Sequence, residues 1–287
     1  MKIIMSTGLL EKRFGIEKTI DLIADAGFDG LDYTDDNGKA FLSDNYKEEI
    51  AFVLKKAKSR SLKFYQTHAP IAGRMIHEGG MELLISSTIH SLEIASLLGA
   101  EAAVVHPIQD DLHKMGDNCV YEKNMAFFSS LLPYCEQFNV KIAIENMIKS
   151  DKKTGVIRDG VCAHPLEFIK YIDDLNSPFV TGCFDTGHCS ASGREPQDFL
   201  RVVGNKYITC MHIHDNDYRS DKHALPCTMD LNWDEICKAM AEIKYDGHFT
   251  LEAVNFLNKY TDDFIPTALK FKYDTARYLV NKIKKHI

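Results

Sequence analysis

The sequence lacks the features of membrane and secreted proteins. Its 287 residues contain no run close to the roughly 20 apolar residues needed to span a bilayer. The N-terminal MKIIMSTGLL has too short an apolar stretch for a secretory signal. We therefore expect a soluble cytoplasmic protein that has no membrane partner.

Signatures of disulfide scaffolds, dinucleotide sites and nucleic-acid surfaces are also missing. The eight cysteines are scattered without a CxxC pair, which favours reduced thiols. No GxGxxG loop follows an early strand, as an open doubly wound sheet would normally show. The formal net charge is −7, and polyanion binding usually needs a basic patch. The sequence therefore argues against nucleic acid as a partner.

No linker rich in Gly, Ser or Pro divides the chain, and no low-complexity segment appears. With 45% hydrophobic and 26% charged residues, the composition is that of an ordinary globular protein. The length exceeds that of a typical domain, but barrels of alternating strands and helices reach it as one unit. We predict a single domain over residues 1–287.

What the chain does contain is a regular alternation of short β-rich runs with amphipathic stretches. Residues 16–28 and 48–60, for example, carry apolar side chains at helical spacing. This alternation predicts a (β/α)8 TIM barrel, with the open doubly wound sheet as the alternative fold. The eight predicted strands cover residues 2–6, 30–34, 62–68, 102–106, 140–145, 180–185, 207–214 and 249–254.

Acids and imidazoles stand at the ends of six of the eight otherwise apolar strands, where a packing role alone would favour apolar residues. In a barrel the C-terminal strand ends form one mouth, where active sites lie. The sequence therefore predicts that these polar side chains converge there. They are His68, His106, Glu145, Asp185, His212 with His214, and Glu252.

Three carboxylates and one imidazole at this mouth would suit a divalent ion such as Mn, Zn, Co or Mg. The carboxylates are Glu145, Asp185 and Glu252. Asp185 places a charged side chain at the end of an apolar run, and a bound cation would compensate that charge. His212 and His214 both point inward on an alternating strand, so periodicity alone leaves the imidazole ligand open.

Taken singly, each of these residues is also explained as a buried polar side chain that forms a hydrogen bond or an ion pair within the protein. Their agreement in position over four successive strands favours the metal site. His188, three residues after Asp185, would lie just above the strand end, near the ion or a substrate. Arg219 follows the strand that carries His212 and could hold a phosphate or hydroxyl, with a solvated loop charge as the alternative.

Five short motifs occur in order along the chain, most of them at strand ends. They are IAIEN (142–146), FDTGH (184–188), MHIHDND (211–217), DKH (221–223) and TLEA (250–253). Together they resemble the xylose isomerase-like TIM-barrel superfamily, which includes sugar and sugar-phosphate isomerases and epimerases. Abasic-site nucleases of the endonuclease IV type belong to the same superfamily.

The resemblance to the epimerase branch implies one metal ion held by Glu145, Asp185, His212 and Glu252. A tetrapeptide of the form HIxD in that branch favours His212 over His214 as the ligand. Glu145 and Glu252 would exchange protons with a sugar or sugar phosphate through a metal-stabilised enediolate. We expect the substrate to contact His188, His214, Arg219, His68 and His106.

The resemblance to the nuclease branch implies three zinc ions with additional ligands, which would be His68, His106, His188, Asp221 and His223. Two features favour sugar chemistry instead. The loops lack the run of Arg, Lys and aromatic residues expected for gripping a duplex, and the family's PGEG-like turn is replaced by LPCTMDLNW (225–233). A binding protein that has lost turnover is a third interpretation, and a homo-oligomer is compatible with the sequence.

Overall fold

The structure, a computed structural model, describes residues 1–34, 45–109, 117–150 and 154–286. Eight parallel strands form one sheet, which confirms the predicted (β/α)8 barrel. A short antiparallel hairpin of two further strands stands apart from it. The barrel strands are β1 (Ile3–Ser6), β2 (Gly30–Thr34), β3 (Lys63–His68), β4 (Ala102–Val105), β5 (Lys141–Glu145), β8 (Val180–Asp185), β9 (Ile208–His212) and β10 (Phe249–Leu251), and the hairpin strands are β6 (Ile148–Ser150) and β7 (Ile157–Asp159).

The barrel closes between its last two strands. β10 pairs in parallel with β1, so the sheet order runs β10-β1-β2-β3-β4-β5-β8-β9. At the remaining seam, the Ile213 amide donates to the Thr250 carbonyl at 2.9 Å, and the Glu252 amide donates to the Ile213 carbonyl at 3.2 Å. These bonds join β9 to β10 directly above the strands, at the mouth where the candidate site lies.

Helices pack around the barrel with their apolar faces inward. In the helix that begins at Ile16, for example, Ile20 and Ile23 are fully buried, and a left-handed Gly27 ends the helix. The described α-helices are α1 (Gly8–Phe14), α2 (Ile16–Ala26), α3 (Tyr46–Ser59), α4 (Ala72–Leu98), α5 (Asp117–Phe138), α6 (Pro165–Leu175), α7 (Thr186–Ala191), α8 (Pro196–Val203), α9 (Trp233–Glu242) and α10 (Ile265–His286).

Helix α4 is interrupted near its start. Gly79 and Gly80 have non-helical backbone angles and separate a first segment from the main helix. Among the described residues, α4 is the one helix long and apolar enough to span a bilayer by length and composition. That criterion is also met by core helices of soluble proteins, and Leu84 and Leu92 of α4 are buried in the core.

Three strands end sooner than predicted. β4 ends at Val105, so that His106 is the first residue beyond it. β9 ends at His212, which leaves His214 on the following loop, and β10 ends at Leu251, so that Glu252 is the first residue beyond it. The hairpin of β6 and β7 was not predicted. Small residues of four adjacent strands form a buried cluster of their own, with Ala143, Cys183 and Cys210 in β5, β8 and β9.

Candidate metal centre

The alternation of strand side chains brings the predicted metal ligands together. Glu145, Asp185 and His212 each follow a member of the small buried cluster by two residues, and therefore share its face of the sheet. With Glu252 they form a group whose ligand atoms all lie within 4.8 Å of one another. The first three are at most 1% exposed, whereas the Glu252 side chain is 18% exposed.

Glu145 lies at the centre of a ring of imidazoles. Its Oε1 is 2.9 Å from His212 Nδ1. Its Oε2 is 2.8 Å from His106 Nε2 and 3.7 Å from His68 Nε2, but neither contact aligns as a hydrogen bond. Burial alone would raise the pKa of Glu145, yet the charges of His212 and His106 hold it well below its usual range. The carboxylate is therefore ionised, with one oxygen left to bind a further group.

Asp185 is fixed from three sides. Its backbone is held by Asn146, whose Oδ1 accepts from the Asp185 amide at 2.7 Å. Its Oδ1 caps α7 by accepting from the His188 amide at 2.6 Å, and both of its carboxylate oxygens lie 3.1 Å from His214 Nε2. Burial raises the pKa of Asp185, but His188 and His214 lower it to about 2 overall.

His214 lies behind Asp185 and does not line the cavity described below. Its ring passes so close to Gly187 that a Cβ there would lie 1.8 Å from His214 Cε1. Only glycine fits this close approach, which explains the Gly of the FDTGH motif. The His214 ring also stacks on His223 with centroids 4.1 Å apart.

A second group of possible ligands, namely His188, Asp221 and His223, lies beside the first. Asp221 Oδ2 is 3.0 Å from His223 Nε2 and 3.7 Å from His188 Nε2. Burial opposes charging of His223, but Glu252 and Asp221 raise its pKa to about 9. His223 also adopts a positive φ of 44°, a strained conformation for a non-glycine residue that is typical of functional loops.

A cavity of about 1140 Å³ opens over both groups. The candidate residues that line its floor are His68, His106, Glu145, His188, Asp221, His223 and Glu252. Its lining also includes residues 71–74, at the start of α4, and residues 147–150, which lead into and form the first hairpin strand. Arg219, a predicted substrate contact, is exposed and does not line this cavity, although the adjacent Ser220 does.

Sequence reasoning missed two buried polar residues close to the cluster. Asp32 of β2 and Gln66 of β3 are 1% and 2% exposed and join through a 3.3 Å hydrogen bond. Neither residue ends a strand, so a search of strand ends passes over both. The available signal was a charged or amide side chain inside an otherwise apolar strand, in GLDYT and KFYQTH.

The residues of the cluster fit a divalent ion. Three carboxylates and one imidazole in a buried position are expensive without a counter-charge. Glu145 Oε2 has no hydrogen-bond partner among the described residues although it is buried. Mixed oxygen and nitrogen donors match the preferences of Mn, Zn, Co or Mg, and the adjacent cavity leaves room for a substrate.

Comparisons with known proteins agree with this architecture. Residues 20–265 match the family described as "Xylose isomerase-like TIM barrel". The uncharacterized protein y4fM of Sinorhizobium fredii is 26% identical over 261 residues, covering 80% of this chain and 78% of its own. A D-tagatose 3-epimerase-like protein has the same fold, with a TM-score of 0.79 and 21% identity over 99% of both chains. The IOLI protein, solved with a bound zinc atom, gives a TM-score of 0.72 at 17% identity, over 100% of this chain and 99% of its own.

Proposed function

This chain belongs to the xylose isomerase-like TIM-barrel family, and from that premise we propose that it is a metal-dependent isomerase or epimerase of a small sugar or sugar phosphate. The observation that carries the proposal is the group formed by Glu145, Asp185, His212 and Glu252, of which Glu145 and Glu252 line the cavity. The similarity to a D-tagatose 3-epimerase-like protein supports the sugar as substrate class.

In this proposal the four residues of the group hold one divalent ion. When bound, the ion would polarise the substrate carbonyl and stabilise the negative charge that develops on its oxygens. Asp185 is suited to be a ligand of the ion because His188, His214 and Asn146 already fix its orientation. Asp221 and His223 of the second group also line the cavity, where they would contact the sugar hydroxyls.

Glu145 and Glu252 would carry out the proton transfers. Both line the cavity, and they approach it from different places, Glu145 from the end of β5 and Glu252 from the first position beyond β10. One carboxylate removes the proton from the carbon next to the carbonyl, and the other delivers a proton to the same or the adjacent carbon. His68 and His106, which flank Glu145, would donate hydrogen bonds to substrate oxygens.

Turnover in deuterated solvent tests this proposal. The protein, loaded with manganese or cobalt, is incubated in D2O with ketohexoses and the corresponding ketose phosphates, and the products are analysed by NMR. We expect deuterium at carbon beside the carbonyl and no exchange after removal of the metal with a chelator. Sugar conversion without deuterium at carbon would argue against the two-glutamate mechanism.

A metal-dependent phosphodiesterase acting on abasic DNA is the second candidate function. The specific observation in its favour is the second ligand group, His188, Asp221 and His223, together with the two imidazoles around Glu145. Metal content by mass spectrometry separates the candidates. About one ion per chain supports the sugar enzyme, whereas about three zinc ions together with cleavage of an abasic oligonucleotide would support the nuclease.

A further inference from the structure

A further carboxylate, Asp32, lies near the candidate metal centre but outside the two ligand groups. Asp32 is 1% exposed in the middle of the barrel wall, and its Oδ2 is 3.7 Å from His212 Nε2. Among the described residues, His212 is the one basic side chain that forms an ion pair with it. A buried carboxylate needs such a partner, because its desolvation is otherwise uncompensated.

The two ring nitrogens of His212 face different groups. Nδ1 lies 2.9 Å from Glu145 Oε1 and 3.5 Å from Glu252 Oε2, inside the ligand group. Nε2 faces Asp32 and has no aligned hydrogen-bond partner among the described residues. His212 can therefore bind a metal through Nδ1, which requires that its single proton be on Nε2.

Asp32 is itself held in place by a chain of polar side chains across the barrel interior. Gln66 donates from Nε2 to Asp32 Oδ2 at 3.3 Å, and it accepts from the Thr250 hydroxyl at 3.0 Å. Thr250 lies on β10, two residues before Glu252, so these hydrogen bonds link β2, which carries Asp32, with the strand that leads into Glu252. Asp32 Oδ1 remains without a hydrogen-bond partner among the described residues.

We propose that Asp32 is a positioning residue of the metal centre, which accepts the Nε2–H of His212 and thereby directs Nδ1 to the metal. The inference rests on the proposed function, because it assumes that the group binds a divalent ion. Ligand histidines commonly donate their second N–H to a carboxylate, which fixes the tautomer and the ring orientation. The 3.7 Å separation is wider than a hydrogen bond, so the proposal requires the imidazole and the carboxylate to move closer together when the ion binds.

Cobalt titration of the metal-free protein tests this role without an assay of activity. We expect Asp32→Ala to weaken cobalt binding about 10- to 100-fold and to shift the visible absorption of the bound ion. Asp32→Asn retains an oxygen acceptor, so it should bind cobalt more tightly than Asp32→Ala and more weakly than the wild type. Thr67→Val is the matched control, because Thr67 is the buried neighbour of Gln66 on β3 and faces the opposite side of the sheet. It should bind cobalt as the wild type does.

The outcomes separate this inference from the proposed function. A wild-type protein that binds no cobalt, manganese or zinc would contradict the metal centre itself. Wild-type affinity in both Asp32 variants would overturn the positioning role alone. Thermal melting of the metal-free variants checks folding, and the isosteric Asp32→Asn carries the comparison if the alanine variant does not fold. Lower cobalt affinity in Asp32→Asn, at an unchanged metal-free melting temperature, would support the role.

Discussion

Glu252 differs from the other members of the ligand group in its access to the cavity. Its side chain is 18% exposed, whereas Glu145, Asp185 and His212 are almost fully buried. Its Oε2 lies between two imidazoles, 3.5 Å from His212 Nδ1 and 3.6 Å from His223 Nδ1. A carboxylate that is both held and accessible is suited to exchange a proton with a substrate.

We therefore expect Glu252→Gln to lower turnover by about 10²- to 10⁴-fold, since the amide cannot act as a base. Its shape is nearly unchanged and the site is partly exposed, so the fold should remain intact. Initial rates and circular dichroism spectra of the two proteins would test this. Glu48→Gln, an exposed position on α3, is the control. Full activity in Glu252→Gln would contradict the two-glutamate mechanism.

Lys272 of α10 is a second residue whose burial has a measurable consequence. It is fully buried, and its Nζ donates to the Ala253 carbonyl at 3.1 Å. Burial lowers the pKa of Lys272 to about 7, although the charge of Glu252 acts in the opposite direction. In the unfolded chain the pKa of the Lys272 side chain is near its ordinary value of 10.5. Charging Lys272 therefore costs stability below about pH 7, and this cost disappears as the pH rises toward 10.5.

We expect Lys272→Met to be more stable than the wild type at pH 6, by on the order of 2 kcal/mol after loss of the hydrogen bond. The difference should shrink as the pH rises, because the wild-type lysine then loses its proton in both states. Urea unfolding of both proteins at pH 6 and pH 9.5, in the presence of chelator, measures it. Lys270→Met, at an exposed position of the same helix, should show no such trend. A difference that grows with pH would contradict this assignment.

At the scale of elements, the sequence was most informative where local pattern and fold coincide. The eight barrel strands are short apolar runs, and the polar residues at their ends are visible without any structure. The hairpin of β6 and β7 shows no such local pattern. Its position depends instead on contacts with Gln109, about 40 residues earlier in the chain. Asp32 and Gln66 were missed for a related reason, since their role arises only when β2, β3 and β9 are brought together.

Gln109 holds the hairpin against the barrel with three hydrogen bonds. Its Nε2 donates to the Ile148 carbonyl at 3.0 Å, and its Oε1 accepts from the Val161 amide at 3.2 Å. Its backbone carbonyl accepts from Lys149 Nζ at 2.9 Å. A Cβ at Gly160 would lie 2.3 Å from Gln109 Oε1, so the contact also requires glycine there. The hairpin therefore forms a fixed wall of the cavity.

Gln109→Ala should loosen this wall while leaving the metal ligands intact. Loss of both side-chain hydrogen bonds predicts an increase in KM of about 10-fold, with cobalt affinity unchanged. Hydrogen exchange of residues 147–150 and 157–161 should become faster than in the wild type. Gln137→Ala, at an exposed position of α5, is the matched control. Unaltered exchange in the hairpin would show that Gln109 does not hold it.

For the whole molecule, the candidate metal centre lies across the weakest seam of the barrel. β9 and β10 are joined by the bridge between Ile213 and Leu251, rather than by a ladder like those of the other strand pairs. His212 and Glu252 lie immediately beside this bridge, one contributed by each side of the seam. An ion that both residues bind would therefore connect the two edges of the sheet and close the barrel.

Metal binding should thus stabilise the entire fold and protect the seam in particular. At a free metal concentration about 100 times Kd, the expected gain is about 2.7 kcal/mol, or a rise in Tm of about 5 °C for a chain of this size. Thermal melting with chelator and after addition of manganese, zinc or cobalt measures the gain. Exchange of the Ile213 and Glu252 amides should slow on metal addition, because these two amides form the seam. His212→Ala removes one side of the connection, so its Tm should respond less to metal than that of the Thr67→Val control. If the wild-type protein has the same Tm with and without metal, no metal ion acts as counter-ion to the buried carboxylates of β5 and β8. That result would contradict the metal centre.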